Sequence, residues 1–289
     1  MRHAPLALLP LLVAIGCAED DPNADLPLHL QECTGTLDTR VGVVTSLTFA
    51  RVEDGVSAGF DLDGHASEAG DDEGCGIPDL VGPNGEAGID NAFARLLPAL
   101  ESTEAAAVEP LIQQSIRDGV LLLLIQLEDY DDPLDDVCVD FTVLQGLGEP
   151  FVSAAGEIVS GQTFDRDPNG NPSTVEAVAL TDGALQAGPL TLVLPFTLFD
   201  VALEIQVGGA IFGLTLSPDG HFEGLFGGGL DVDYLLRIAQ EENVDPDLYG
   251  TLEPLLRAAS DLDLDGDGEC SQISITFEVQ GELAFLFPE

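Results

Sequence analysis

The stretch that decides the fold is QISITFEVQGELAFLF, residues 272–287. Apolar side chains occupy most of its odd positions, namely Ile273, Ile275, Phe277, Val279, Leu283, Phe285 and Phe287. Polar side chains occupy the even positions from Ser274 to Glu282. Because successive side chains of a strand point to opposite sides, this alternation predicts a long β-strand with one face in a core and the other in water.

The same period of two recurs earlier in the chain. Val41–Phe49 is predicted to form a hairpin with Val56–Leu62, because Glu53-Asp54-Gly55 between them is typical of a turn. Further strands are predicted at residues 137–143, 190–216 and 222–226. The apolar run Val120–Ile125 is interpreted as a buried strand, with a helix as the alternative. Gly227–Gly229 is interpreted as a flexible turn.

Apolar residues at helical spacing predict four helices between these strands. They cover residues 93–100, 108–116, 232–240 and 246–259. A strand, two helices and then a long antiparallel block together indicate the α+β class. We therefore expect a mostly antiparallel sheet with helices packed on one face, in a single disulfide-bonded domain spanning residues 31–289.

The N-terminus has the composition of an export signal. Arg2 and His3 precede the apolar run Leu6–Ile15, which has the length of a signal-peptide core. This run is too short to cross a bilayer as a helix. The residues Ala14-Ile15-Gly16-Cys17 that follow resemble the lipobox of bacterial lipoprotein precursors. An ordinary secretory signal that happens to contain a cysteine is the alternative.

The resemblance to lipoprotein precursors implies a membrane anchor. It implies that residues 1–16 are removed as a signal peptide and that the sulfur of Cys17 carries diacylglycerol, usually with a third acyl chain such as palmitate on the new amino group. Two or more chains make such anchoring stable. Residues 17–30 then form the lipidated cysteine and an acidic tether. By resemblance to Gram-negative sorting, Ala18 implies the outer membrane of the cell envelope.

The charge of the chain limits its partners. Asp and Glu number 53 against 8 Arg and Lys, for a formal net charge of −45. This excludes nucleic acid as a partner, because phosphate contacts need clustered basic side chains. It favours divalent cations instead. The hydrophobic share of 45% indicates a folded domain rather than a disordered one.

Four cysteines remain after processing at Cys17, and in an oxidising compartment they predict two disulfides. The candidates are Cys33, Cys75, Cys138 and Cys270. Three pairings are possible, and the spacings do not choose among them.

The strongest chemical signal is an acidic loop that starts at Asp261. Its candidate ligands are Asp261, Asp263, Asp265, Asp267 and Glu269. Alternating carboxylates with a glycine at the sixth position resemble EF-hand-like calcium loops, since calcium takes six to eight oxygen ligands. The loop departs from the EF-hand at its twelfth position, where Gln272 replaces Glu, and a strand follows instead of a helix. A solvated acidic turn is the alternative.

Two further acidic segments are candidate calcium loops. The first has EF-hand spacing without flanking helices, and its candidate ligands are Asp165, Asp167, Asn169 and Glu176. An ordinary turn between strands is the alternative there. The second contains Asp61 and Asp63 in a polar, glycine-rich stretch, where the alternative is a mobile loop.

No nucleophile, zinc or phosphate-loop motif is present, so the sequence predicts a protein that is not an enzyme. The leading hypothesis is a membrane-anchored envelope lipoprotein with a calcium-stabilised acidic domain and a structural or partner-binding role. The alternative is a carrier or binder of a lipid or other apolar ligand, because residues 190–198 are apolar on both faces.

Overall fold

The computed structural model describes residues 38–71, 75–130, 132–198, 201–241 and 246–288. It contains eleven strands: β1 Asp38–Phe49, β2 Val52–Glu53, β3 Val56–Ser57, β4 Leu123–Tyr130, β5 Asp136–Leu147, β6 Gln162–Arg166, β7 Ser173–Thr181, β8 Ala184–Leu198, β9 Val201–Leu216, β10 Phe222–Asp231 and β11 Gln272–Leu286. The helices are α1 Ala92–Leu100, α2 Val108–Arg117, α3 Val232–Glu241 and α4 Pro246–Ala258, with a 3-10 turn over Glu104–Ala107.

Eight strands close into a ring, in the order β1-β4-β5-β7-β8-β9-β10-β11 and back to β1. Every pairing in the ring is antiparallel. The ring closes at β1, where Val41 pairs with Gln126 of β4 on one edge and with Ala284 of β11 on the other. The domain is therefore a closed antiparallel β-barrel.

The α+β prediction was wrong, because the sheet closes on itself into a barrel instead of lying open under a layer of helices. Period-two patterning identifies strands but does not say which strands pair, and closing the sheet on itself removes its free edges. The predicted hairpin was also wrong in its partners. β1 pairs with β4 and β11, whereas the turn after it joins only the two-residue strands β2 and β3.

The barrel interior contains a row of five phenylalanine rings from the strands, and Phe93 of α1 packs on its end. The row runs in the order Phe141, Phe212, Phe226, Phe277 and Phe49, followed by Phe93. Neighbouring ring centroids lie 4.7–5.8 Å apart, within the range of favourable aromatic packing. Buried leucine, isoleucine and valine side chains of the strands surround this row.

The four predicted helices are present, and they pack on the barrel differently from the prediction. α2 contacts both β1 and β8, which are opposite each other in the ring, so this helix crosses one barrel opening. The backbone N–H of Phe49 donates to Glu109 Oε2 at 2.9 Å, and Gln113 donates to the carbonyl of Leu47. These bonds hold α2 against the end of β1.

Gly227–Gly229 is not a turn but lies within β10. A Cβ at Gly227 would lie 2.8 Å from the ring of Phe60, and one at Gly229 would lie 2.9 Å from Leu264 Cδ1. The glycines therefore leave room on the outer face of the barrel for two apolar side chains. Both of these side chains belong to the predicted acidic loops.

The end of β11 also departs from the prediction. Side chains from Ile273 to Val279 at odd positions are buried, as expected, but Phe285 and Phe287 are about half exposed. β10 pairs with β11 only as far as Gly281, so the last residues of β11 extend past the barrel interior. There β11 pairs with β1 and with the short strand β6.

Candidate metal centre

The candidate site lies where the segment after β3 runs over the outer face of the barrel. Phe60 and Asp90 form an isolated antiparallel bridge, in which the Asp90 N–H donates to the Phe60 carbonyl at 2.8 Å. This bridge brings together two parts of the segment that are distant in sequence. As a result, one carboxylate oxygen from each of Asp61, Asp63 and Asp90 lies within 4.8 Å of the others.

Asp90 is the unusual member of this group, because its side chain is only 1% exposed. Its Oδ2 accepts the backbone N–H of Leu62 at 2.6 Å. Its Oδ1 is buried and has no hydrogen-bond partner. Buried polar atoms in proteins are nearly always paired, and leaving one unpaired is energetically unfavourable.

The electrostatics of the group are those of crowded acids. Burial, together with the nearby carboxylates of Asp63, Asp79 and Asp261, raises the pKa of Asp90 to about 9. The pKa of Asp63 is raised as well, chiefly by burial and then by Asp79 and Asp61. These shifts mean that the group favours a bound positive charge, either a proton or a cation.

Backbone hydrogen bonds hold the two loop aspartates in place. The N–H of Gly64 donates to Asp61 Oδ1 at 2.7 Å, and the N–H of His65 donates to Asp63 Oδ1 at 2.8 Å. Asp79, whose Oδ2 accepts the N–H of Ser67 at 2.6 Å, lies nearby. The arrangement can present several carboxylate oxygens to one cation without a change of backbone.

A second acidic group consists of Asp263, Asp265 and Asp267, whose carboxylates also lie within 4.8 Å of one another. Partial desolvation raises the pKa of Asp263, but backbone N–H groups donate to both of its oxygens and bring the pKa below its usual range. The donors to Asp263 include Gly266 and Gly268, each at 2.9 Å. Backbone N–H groups of this exposed loop therefore donate to both oxygens of Asp263, whereas Oδ1 of Asp90 has no hydrogen-bond partner.

The other predicted ligands of that loop lie apart from the second group. Asp261 is buried, and its two oxygens accept the N–H and the hydroxyl of Ser274 at 2.8 and 2.5 Å. Burial raises its pKa to about 6. Glu269 is exposed, and its backbone N–H donates to Asp267 Oδ1 at 2.8 Å.

The segment with EF-hand spacing is not gathered into a group. Asp165 lies in β6, where it pairs with Leu147 of β5. Asp167 Oδ1 accepts the N–H of Asn169 at 2.8 Å in the turn that follows. Glu176 is exposed on β7. Among the residues with described positions, only the two groups above bring three potential ligands within 4.8 Å.

A disulfide joins the loops that carry the two groups. Cys75 pairs with Cys270, across a sequence separation of 195 residues. Cys138 is disulfide-bonded too. The other two cysteines of the predictions, Cys33 and the lipidation candidate Cys17, lie outside the described residues.

Asp90 is the site residue that sequence reasoning missed. It lies just before Asn91, which occupies the N-cap position of α1 and makes no side-chain capping bond. The sequence offers one signal, the apolar residues Ile89 before it and Ala92 after it, both of which are buried in the structure. A carboxylate between buried apolar residues needs a partner.

Comparison with known protein families, curated proteins and solved structures finds no match for this chain, and thus no catalytic family is recognised. In the described part of the chain, no helix is both long and apolar enough to span a bilayer.

Proposed function

We propose that this chain is an envelope lipoprotein whose acidic barrel domain is stabilised by a calcium ion held by Asp61, Asp63 and Asp90. The observation that carries the proposal is the buried, unpaired Oδ1 of Asp90 within the carboxylate group. A cation there would pair this oxygen and offset the burial and the repulsion that raise the pKa of Asp90 and Asp63.

Calcium is the cation that the donor set favours. All the candidate ligands are carboxylate oxygens, which are hard donors, and calcium accepts irregular sets of six to eight oxygens, with water completing them. No histidine or cysteine belongs to the group, which argues against zinc. An exported protein also meets calcium at concentrations that suit extracellular calcium modules of modest affinity.

The ion would have a structural role in the segment between β3 and α1. The described residues between Ser57 and Ala92 form no strand or helix and are held by isolated bridges and turns. A cation bound by Asp61, Asp63 and Asp90 would link the beginning of this segment to its end. The segment is then presented as an ordered surface on the barrel, suited to a structural or partner-binding role rather than to catalysis.

The membrane anchor is the second part of the proposal, and it rests on the lipobox resemblance of residues 14–17. Expression in a Gram-negative host with labelled palmitate tests it. We expect the label on the wild-type protein in the outer-membrane fraction, and its loss in Cys17→Ser. Unlabelled, fully secreted wild-type protein would show that the N-terminus is an ordinary secretory signal.

The alternative of a carrier for an apolar ligand has less support. Five phenylalanine rings of the strands pack against one another inside the barrel, where a ligand would lie. Extraction of the purified protein with organic solvent, followed by mass spectrometry, distinguishes the two functions. A stoichiometric lipid beyond the covalent anchor would favour the carrier.

The decisive experiment is a calcium titration of the purified protein, followed by thermal unfolding. We expect the wild-type Tm to rise with calcium, and Asp90→Asn to show no such rise. Asp219→Asn, an exposed substitution in the turn before β10, is the matched control and should respond like the wild type. A calcium response that survives in Asp90→Asn would place the ion elsewhere.

A further inference from the structure

The barrel carries a concentrated apolar surface near the end of β11. Among the described residues, twelve large apolar side chains are substantially exposed, and six of them lie here. We call this surface the aromatic rim: Leu147, Phe151, Val152, Val159, Phe285 and Phe287. All three exposed phenylalanines of the described chain belong to it, with exposed fractions of 77% for Phe151, 49% for Phe285 and 55% for Phe287.

The rim is held in place by the backbone around β6. The N–H of Phe287 donates to the Phe164 carbonyl at 3.0 Å, and the N–H of Val159 donates to the Phe151 carbonyl at 3.0 Å. Gln162 bonds both ways with the backbone of Phe151. Phe151 and Phe287 then line a shared groove of about 410 Å³. The rim is thus an ordered part of the barrel and not a loose terminus.

The path of the chain connects the rim to the anchor. β1 begins at Asp38, and Val41 pairs with Ala284, so the chain enters the barrel beside the last residues of β11. The lipidation candidate Cys17 precedes Asp38 by a tether that, fully extended, reaches at most roughly 75 Å. A lipid on Cys17 is therefore joined to the barrel beside the strand end that carries Phe285 and Phe287.

The negative charge of the chain limits which apolar partner can bind the aromatic rim. A second copy of the chain is disfavoured, because each copy carries a formal net charge of −45 and would repel the other. Anionic headgroups are disfavoured for the same reason, and Glu149 and Asp165 line the groove itself. A zwitterionic lipid surface has no net charge to repel, and aromatic rings lie favourably in the interfacial region of such a bilayer.

We propose that the aromatic rim is the membrane-contacting surface of the barrel and that it lies in the interface of a zwitterionic bilayer beside the anchor. The proposal rests on the lipid anchor at Cys17 of the proposed function. Contact through the rim would give the anchored barrel a fixed orientation on the membrane. The calcium segment, which follows the opposite end of β1, would then face away from the membrane.

The absence of tryptophan from the chain makes a direct test possible. Phe151→Trp and Phe287→Trp each place a single reporter in the rim, at exposed positions where the substitution leaves the core intact. Val56→Trp is the matched control, because Val56 is 38% exposed on β3, beyond the other end of β1. The lipidated full-length proteins are reconstituted into vesicles of phosphatidylcholine with brominated acyl chains.

We expect both rim reporters to lose at least half of their fluorescence on brominated vesicles relative to unbrominated ones, with emission shifted to the blue. The Val56→Trp control should keep its intensity. Equal, weak quenching of all three proteins that nonetheless float with the vesicles would overturn the proposal. So would blue-shifted rim emission without quenching, which would mean that a protein surface covers the rim.

The failure of the anchor itself gives a different result. If the proteins do not float with vesicles at all, the proposed lipid anchor at Cys17 is wrong. The quenching measurement then does not apply. Flotation of the wild type together with loss of flotation in Cys17→Ser establishes the anchor before the rim is tested.

Discussion

Both carboxylate oxygens of Asp261 accept hydrogen bonds from Ser274 on the outer face of β11. The Ser274 N–H donates to Asp261 Oδ1 at 2.8 Å, and its hydroxyl donates to Oδ2 at 2.5 Å. The same hydroxyl oxygen accepts the N–H of Ala92 at 2.7 Å. Ala92 begins α1, two residues after Asp90. One serine thus links the second acidic loop, the barrel and the candidate calcium site.

Ser274→Ala is therefore expected to destabilise the fold although it removes only one oxygen. The buried carboxylate loses a donor and the Ala92 N–H loses its acceptor, so we expect a loss of about 1–3 kcal/mol in the free energy of unfolding. Chemical denaturation with and without calcium measures it. Ser173→Ala, a substitution of a half-buried serine on β7, is the control. A loss in Ser274→Ala no larger than that in Ser173→Ala would contradict the linking role.

The proposed calcium site predicts a pH dependence with a definite sign. In a chelator, Asp90 is protonated in the folded state up to its raised pKa of about 9, whereas in the unfolded chain it ionises near its ordinary value. A raised pKa contributes stability at low pH that is lost as the pH rises through the folded value. We therefore expect the free energy of unfolding in chelator to fall between neutral pH and about 9.

Calcium should suppress that fall, because the ion binds the ionised carboxylate in place of the proton. Asp90→Asn should suppress it too, since the amide does not ionise, and this variant should be at least as stable as the wild type in chelator. Urea unfolding at several pH values measures both effects. A wild-type profile that is the same with calcium and with chelator would refute the site.

The second acidic group is expected to contribute little to stability or to the calcium response. Backbone N–H groups already satisfy Asp263, and the loop is exposed. Asp265→Asn combined with Asp267→Asn should change the free energy of unfolding by no more than about 0.5 kcal/mol, as exposed substitutions usually do. The calcium-induced rise in Tm should also survive. Loss of that rise in the double variant would assign the ion to this loop instead of Asp90.

The packing of Phe60 on Gly227 gives a prediction for the barrel surface. A Cβ at Gly227 would lie 2.8 Å from the Phe60 ring, so Gly227→Ala should destabilise by about 1–3 kcal/mol, the usual effect of overpacking. Gly250→Ala in α4 is the control, because nothing lies within 4 Å of its Cβ. There alanine should stabilise by up to about 1 kcal/mol through helix propensity. Equal effects at both positions would contradict the packing.

Removing the Cys75–Cys270 disulfide should weaken calcium binding as well as the fold. The bridge ties the segment of the candidate site to the second acidic loop, so its loss leaves more freedom for calcium to remove. Cys75→Ser with Cys270→Ser should lower stability by about 2–5 kcal/mol. Isothermal titration should also show a weaker calcium Kd. An unchanged calcium Kd in the folded double variant would show that the disulfide does not affect binding at the candidate site.

Local patterns predicted the elements but not their assembly. The helices from Phe93 and Val108 and the strands around Phe141 and Phe277 follow from spacing alone, and the structure confirms them. The closure of the barrel depends on the pairing of Val41 with Ala284, which no local pattern encodes. The α+β class failed for that reason.

The candidate site was predicted only in part, because it too depends on contacts between residues that are distant in sequence. Asp61 and Asp63 stand out because they alternate in an acidic segment, whereas Asp90 joins them only through its bridge with Phe60. The burial that singles out Asp90 is a property of the folded chain. The glycines of β10 were misinterpreted because the side chains that pack on them come from distant loops.

The closure of the ring has a kinetic consequence for the export that we propose for this protein. The seam joins β1 to β11, so the first strand of the ring lacks one of its two neighbours until the far end of the domain has been synthesised. Folding dominated by such non-local contacts is slow. A nascent chain of this topology would therefore complete its fold late, which suits the proposed translocation of an unfolded chain.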